Sequence, residues 1–83
     1  MDIRQEVLQI LDDVLSLKGR SASFSNDTPL LGALPELDSM AVVALLTMLE
    51  ENLGLAVADD EIDGSIFATV GNLVGFVQSK LAH

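Results

Sequence analysis

The sequence predicts an all-α protein, a four-helix bundle with three main helices, a short third helix, and a long loop between helices 1 and 2. Apolar residues make up 49% of the 83 residues, which is enough for a packed core. They recur three and four residues apart in separate segments, and no segment alternates convincingly as a strand would. A chain of this length is expected to form a single domain, residues 1–83.

The first helix is predicted to begin at Ile3, with Asp2 as its cap, and to end near Leu17. Residues 18–37 then form a loop rich in Ser, Asn, Asp, Gly and Pro. A loop of about 20 residues is unusual in so small a domain and is often functional. Proline is tolerated at a first helical position, so Thr28-Pro29 is expected to start one helical turn. Four apolar side chains are expected to attach the loop to the core: Phe24, Leu30, Leu31 and Leu34.

Three further helices complete the predicted fold. The second begins at Asp38 or Ser39 and runs to about residue 53, where Gly54 ends it. The third is short, from residue 59 or 60 to about residue 67. The fourth opens with Thr69 as its cap and runs to residue 81. Gly71 and Gly75 lower its intrinsic helix propensity, so packing has to hold it.

The composition excludes several classes of function. Thirteen Asp and Glu against four Lys and Arg give a net charge of -9, which repels nucleic acid and anionic membranes and favours basic partners. Alternatively, the negative charge serves only to keep the protein in solution. The acidic N-terminus lacks a signal peptide's features, and no apolar run could span a bilayer. We therefore expect a cytoplasmic protein, and a monomer.

No catalytic or metal site is expected. The chain has no Cys and a single His, His83, so a thiol nucleophile or a His-based cluster cannot be built in its body. The segment "DDEIDGSIFATV" has acids at the first, third and fifth positions of a calcium loop. Its twelfth position, however, is Val70, where the loop needs a bidentate Glu.

The second helix is predicted to have two different faces. At about 100° per residue, its core face contains Val42, Leu45, Leu46, Leu49 and Leu53. The opposite face contains Met40, Val43, Ala44, Thr47, Glu50 and Glu51. An exposed apolar patch beside acids has the composition of a docking surface. The alternative is that a loop covers Met40 and Val43.

Ser39 lies at the start of this helix, where backbone N–H groups are unpaired and the helix dipole is positive. That position suits a phosphate ester on the hydroxyl. Taken alone, however, Asp38-Ser39 is a pair of ordinary capping residues.

Taken together, these features resemble an acyl carrier protein over essentially the whole chain. The matching segments are "LDSM" opening the second helix, "LEENLGL" closing it, and "FATVGNLVGFV" around the last helix. The resemblance implies a 4'-phosphopantetheine on Ser39, flanked by Asp38 and attached from coenzyme A by a phosphopantetheinyl transferase. An acyl chain would be held on its thiol as a thioester, with no catalysis by the protein itself. The resemblance also implies docking of partner enzymes through Met40, Val43, Thr47, Glu50 and Glu51.

Some residues depart from the family pattern. Met40 replaces the usual Leu, Glu36 stands where Gly often precedes the Asp-Ser pair, and Ala44 replaces a common acid. These departures indicate a specialised, free-standing member outside core fatty acid synthesis. Its expected partners are an acyl-activating ligase, a synthase or an acyltransferase with a basic docking surface. The alternatives are a peptidyl, aminoacyl or D-alanyl carrier, and an acidic helical adaptor without a prosthetic group.

Overall fold

The structure, a computed structural model, describes residues 2–81 apart from the side chain of Asp59. Residues 1, 82 and 83 of the predicted domain, including His83, lie outside that description. The chain is all-α, as the sequence predicts. Its α-helices are α1 (Ile3–Leu15), α2 (Ser39–Leu53) and α3 (Val70–Leu81), and its short 3₁₀ helices are Arg20–Ser23, Asp59–Glu61 and Gly64–Phe67.

The predicted short third helix is two 3₁₀ helices, so the description as four helices is loose. They are separated because Asp63 has an extended backbone, with φ -139° and ψ 141°. The Asp63 carboxylate accepts a hydrogen bond from the Ser65 N–H at 2.9 Å and caps the second of them. An acceptor side chain in this position competes with continued helix, which explains the break.

The predicted helix ends are mostly confirmed. Asp2 caps α1 by accepting from the Gln5 N–H at 3.3 Å, and Thr69 caps α3 by accepting from the Asn72 N–H at 3.1 Å. The left-handed backbone of Gly54, with φ 70°, ends α2. Helix α1 ends two residues earlier than expected, because Ser16 adopts a left-handed φ of 54°.

The core lies where α1 packs against both α2 and α3. All three helices contribute fully buried side chains, and the connections add Leu17, Leu30 and Phe67. Burial of each large apolar side chain stabilises the fold by about 1.5–3 kcal/mol. The helical side chains with no exposed surface are Val7, Leu11, Leu45, Leu49, Val70, Leu73 and Val77.

The first part of the long loop is fastened to α1 by the carboxylate of Asp12. Its oxygens accept hydrogen bonds from the Gly19 N–H at 3.0 Å, the Ser21 N–H at 3.3 Å and the Ser21 hydroxyl at 2.8 Å. The Ser21 hydroxyl, followed by the Gly19 N–H, lowers the pKa of Asp12 below its ordinary value. The loop therefore turns back at once and forms the 3₁₀ helix Arg20–Ser23, which the sequence reading missed.

The second part of the loop pairs with the segment that precedes α3. The Leu30 N–H donates to the Ala68 carbonyl at 3.0 Å, and the Val70 N–H donates to the Thr28 carbonyl at 3.0 Å. Pro29 and Thr69 form an isolated antiparallel bridge. The predicted helical turn does not start at Thr28-Pro29, because this backbone is extended and bonded across the chain. A single turn starts at Leu30 instead, whose carbonyl accepts from the Leu34 N–H at 2.9 Å.

The predicted attachment of the loop is only partly correct. Leu30 is fully buried, and Phe24 and Leu34 are half-buried against the core. Leu31 is instead 44% exposed. Neighbouring residues of an extended backbone point to opposite sides, so only one of Leu30 and Leu31 can enter the core.

The two glycines of α3 occupy different environments. A Cβ on Gly71 would lie 3.0 Å from the Asn26 carbonyl oxygen, which accepts a 2.8 Å hydrogen bond from the Gly71 N–H. A Cβ on Gly75 would meet nothing within 4 Å. Gly71 therefore permits a close backbone approach, whereas Gly75 only weakens the helix.

We expect Gly75→Ala to raise the free energy of unfolding by about 0.5–1 kcal/mol, because alanine has the higher helix propensity. Gly71→Ala should lower it, since its methyl group would press against the Asn26 carbonyl. Urea unfolding of both variants measures the difference. Equal stabilisation by the two substitutions would contradict the close approach at Gly71.

Asp12→Asn should destabilise the protein near neutral pH. The pKa of Asp12 is lower in the folded state than in the unfolded state. Its carboxylate therefore stabilises the fold at pH values above the unfolded pKa, and this contribution is lost as the pH falls through the folded pKa. The difference in thermal midpoint between wild type and Asp12→Asn should therefore shrink below about pH 4. Asp13→Asn, at an exposed neighbouring position, is the control. A pH-independent difference would refute the role of the charge.

Candidate functional site

Helix α2 begins at a well-formed cap. Asp38 has an extended backbone, with φ -108° and ψ -175°, and its carboxylate accepts from the Ala41 N–H at 2.8 Å. Its carbonyl accepts from the Val42 N–H at 2.9 Å. The predicted capping role of Asp38 is confirmed, and Ser39 is consequently the first residue of the helix.

The Ser39 side chain is exposed at this helix N-terminus. Within residues 2–81, no hydrogen bond engages its hydroxyl, whereas the Ser21 hydroxyl donates to the Asp12 carboxylate and the Ser23 hydroxyl to the Arg20 carbonyl. Because Asp38 already satisfies the first-turn amide of Ala41, Ser39 is not needed as a cap. The hydroxyl is therefore accessible for esterification, in a place where the dipole favours a phosphate.

The two predicted faces of α2 are present. Leu45, Leu46 and Leu49 are buried, and Val42 and Leu53 are half-buried. On the opposite face Met40 is 79% exposed and Val43 63% exposed. The alternative in which a loop covers these two residues is therefore wrong. Ala44, Thr47 and Glu51 are also exposed.

Glu50 differs from the other predicted docking residues. It is half-buried, and its carboxylate accepts a 2.8 Å hydrogen bond from the Val57 N–H. This bond holds the connection that follows α2 against the helix. Glu50 therefore has a structural role in the chain that helical periodicity could not show, because its donor lies in an irregular segment.

A cleft of about 180 Å³ lies between α2 and this connection. Its lining residues are Val43, Leu46, Thr47, Glu50, Val57 and Ile62. The sequence reading missed Ile62 and Val57, because neither belongs to a helical pattern. The only signal was the position of Ile62 as a lone large apolar residue among acids in "DDEIDG".

A second feature that the sequence reading missed lies just before the site. The guanidinium of Arg20 pairs with the carboxylate of Glu36, three residues ahead of Ser39. The pKa of Glu36 is lowered by its own backbone N–H and then by Arg20. The pair joins the start of the long loop to its end, although both side chains keep enough exposure for solvent to weaken the interaction.

The described residues contain neither a cluster that could hold a metal nor a helix that could cross a membrane. Within residues 2–81, no group of three or more His, Cys, Asp or Glu side chains is arranged to hold a metal ion. The calcium-loop segment includes Asp59, whose side chain lies outside the described part. Across the described residues, none of the helices is both long enough and apolar enough to cross a membrane.

Comparisons with known proteins identify the family of this chain. Residues 5–77 match the family model described as "Phosphopantetheine attachment site". The chain is 29% identical over 76 residues to acyl carrier protein AsbD of Bacillus anthracis, covering 92% of this chain and 81% of that protein. The solution NMR structure of a holo acyl carrier protein from Nitrosomonas europaea superposes with a TM-score of 0.91 and 47% identity, covering all of both chains.

The chain therefore belongs to the family of phosphopantetheine attachment-site domains, with the acyl carrier protein fold. Such a domain carries 4'-phosphopantetheine and works with a phosphopantetheinyl transferase and with synthesis enzymes, without catalysis of its own. The site fits the group: an exposed hydroxyl, unbonded within the part of the chain that the structure describes, stands at a helix N-terminus with a separate residue as cap.

We expect Glu50→Ala to loosen the connection after α2. A hydrogen bond to a charged acceptor contributes about 1.5 kcal/mol, so hydrogen exchange at the Val57 amide should accelerate about tenfold. Glu51→Ala, on the exposed side of the same turn, should leave that amide unchanged. Equal exchange in all three proteins would show that this hydrogen bond does not hold the connection.

Proposed function

We propose that Ser39 bears the 4'-phosphopantetheine and that the protein is an acyl carrier. The observation that supports this most strongly is the exposed Ser39 hydroxyl, unbonded within the described residues, at the start of a helix that Asp38 caps. In the loading reaction this oxygen forms a new bond to phosphorus. The hydroxyl proton is lost, and the nucleotide part of coenzyme A departs.

The chain's own residues present the group rather than react with it. Asp38 sets the start of α2, and the Arg20–Glu36 pair together with the buried Leu37 holds the segment just before it. The thiol of the prosthetic group supplies the thioester chemistry. Tethering raises the effective concentration of the cargo at each docked enzyme.

An acyl cargo is supported by the two relatives, both of which are named acyl carrier proteins. We further propose a specialised pathway outside core fatty acid synthesis. Helix α2 has Ala44 in place of an acid, and one of its two acids, Glu50, is engaged by the Val57 N–H. An acyl-activating ligase, a synthase or an acyltransferase would dock on the exposed face that contains Met40, Val43, Thr47 and Glu51, with Glu50 at its edge.

The attachment residue is tested by mass. Incubation of the apo-protein with coenzyme A and a broad-specificity phosphopantetheinyl transferase should add one phosphopantetheine to wild type and to Ser79→Ala, and none to Ser39→Ala. Ser79 is an exposed serine on α3 and controls for nonspecific modification. Loading of Ser39→Ala, or no loading of wild type while a known carrier is loaded, would refute the assignment.

The cargo is tested separately. Holo-protein captured from cells should release an acyl group on treatment with hydroxylamine, and the mass of that group identifies it. Release of an amino acid would instead establish an aminoacyl carrier.

A further inference from the structure

The chain contains few side chains that a peroxide can oxidise. It has no Cys, Trp or Tyr, and its three methionines are Met1, Met40 and Met48. Met1 lies outside the described residues. Met48 is half-buried and packs against the core, whereas Met40 is 79% exposed, more than any other large apolar side chain that the structure describes. Because oxidation of a thioether follows its exposure, Met40 should react before Met48.

Met40 also lies beside the Ser39 hydroxyl. It follows Ser39 directly in the first turn of α2, and both side chains are exposed. Helical side chains lean toward the N-terminus of their helix, so the thioether of Met40 covers the surface on the Ser39 side. The sulfur is therefore next to the hydroxyl that an enzyme has to reach in order to load the protein.

Oxidation of Met40 would change the polarity of this surface. The next exposed side chains of α2 are Val43, Ala44 and Thr47. Val43 and Ala44 have no polar side-chain atom, and the Thr47 hydroxyl already donates to the Val43 carbonyl at 3.0 Å. A methionine sulfoxide would place a hydrogen-bond acceptor on this apolar surface. Covering that oxygen without offering it a donor costs free energy.

We propose that Met40 is a redox-sensitive modification site, which a peroxide converts to methionine sulfoxide, and that this change slows the loading of Ser39. In the reaction the O–O bond of the peroxide breaks and an S–O bond forms. The sulfur loses two electrons, and the peroxide is reduced to water or, if it is organic, to an alcohol. The oxidation depends only on the exposure of Met40, whereas its effect on loading rests on the proposed function.

The test oxidises the apo-protein with hydrogen peroxide, because the prosthetic thiol of the holo-protein would react as well. Peptide masses should locate one added oxygen atom on Met40 before any appears on Met48. Catalase then removes the peroxide, and loading by a broad-specificity phosphopantetheinyl transferase with coenzyme A is followed by intact mass. Oxidation should lower kcat/KM of wild type about fivefold or more.

Two leucine variants assign the effect to one sulfur atom. Met40→Leu removes the thioether and keeps an apolar side chain of similar size, so peroxide should leave its loading rate unchanged. Met48→Leu retains Met40 and should lose as much activity as wild type. Each protein is compared with its own untreated sample, so any effect of the substitution itself cancels. Methionine sulfoxide reductases acting on both epimers should restore the rate of oxidised wild type.

Circular dichroism and the thermal midpoint show whether peroxide also unfolds the protein. If Met48 oxidation lowers the midpoint of wild type, the comparison is made in Met48→Leu instead. Oxidation of Met48 ahead of Met40, an unchanged loading rate after Met40 is oxidised, or an equal loss in Met40→Leu would overturn this inference alone. No loading of untreated wild type, while a known carrier is loaded, would refute the proposed function and with it the effect on loading.

Discussion

The hydrogen bonds between the second part of the long loop and the segment before α3 are the constraint on which the site depends. Without them, the middle of the connection would gain conformational entropy, and the segment before α2 would be held only by the Arg20–Glu36 pair and the burial of Leu37. The bonds join Thr28 to Val70, Leu30 to Ala68 and Leu31 to Phe67. They also bring Asn26 against α3, so that a Cβ on Gly71 would lie 3.0 Å from the Asn26 carbonyl oxygen.

This pairing determines more than the path of the loop. It places Leu30 in the core and, by the alternation of an extended backbone, leaves Leu31 at the surface. The same segment that stabilises the fold therefore contributes an apolar side chain beside the helix that presents Ser39. A core residue and an exposed apolar residue are therefore adjacent in the sequence, because they occupy opposite sides of one short extended stretch.

The acidic residues also serve two purposes. Asp2, Asp12, Asp38, Glu50 and Asp63 each accept hydrogen bonds from backbone N–H groups at helix ends or in connections. These carboxylates satisfy donors that regular structure leaves unpaired, which is a local structural role. Only part of the net charge of -9 is therefore concerned with attracting partners.

The sequence by itself determined the α-helices, their caps and the two faces of α2. These features depend on residues three or four positions apart, so the helical periodicity of the sequence predicts them. It also identified Asp38 as the cap of α2 and Ser39 as its solvent-facing neighbour, because capping is a local interaction. The periodicity of α2 correctly predicted that Met40 and Val43 lie on its exposed face.

Only the tertiary structure decided which residues from distant segments meet. Helical spacing could not reveal that Glu50 accepts from the Val57 N–H, that Arg20 pairs with Glu36, or that Ile62 lines a cleft with Val43. The start of a helical turn was also wrongly predicted at Thr28-Pro29, because the backbone there is extended and pairs with residues 67–70. Contacts between residues far apart in the sequence depend on how the loops bring the segments together, and a local sequence pattern does not predict this arrangement.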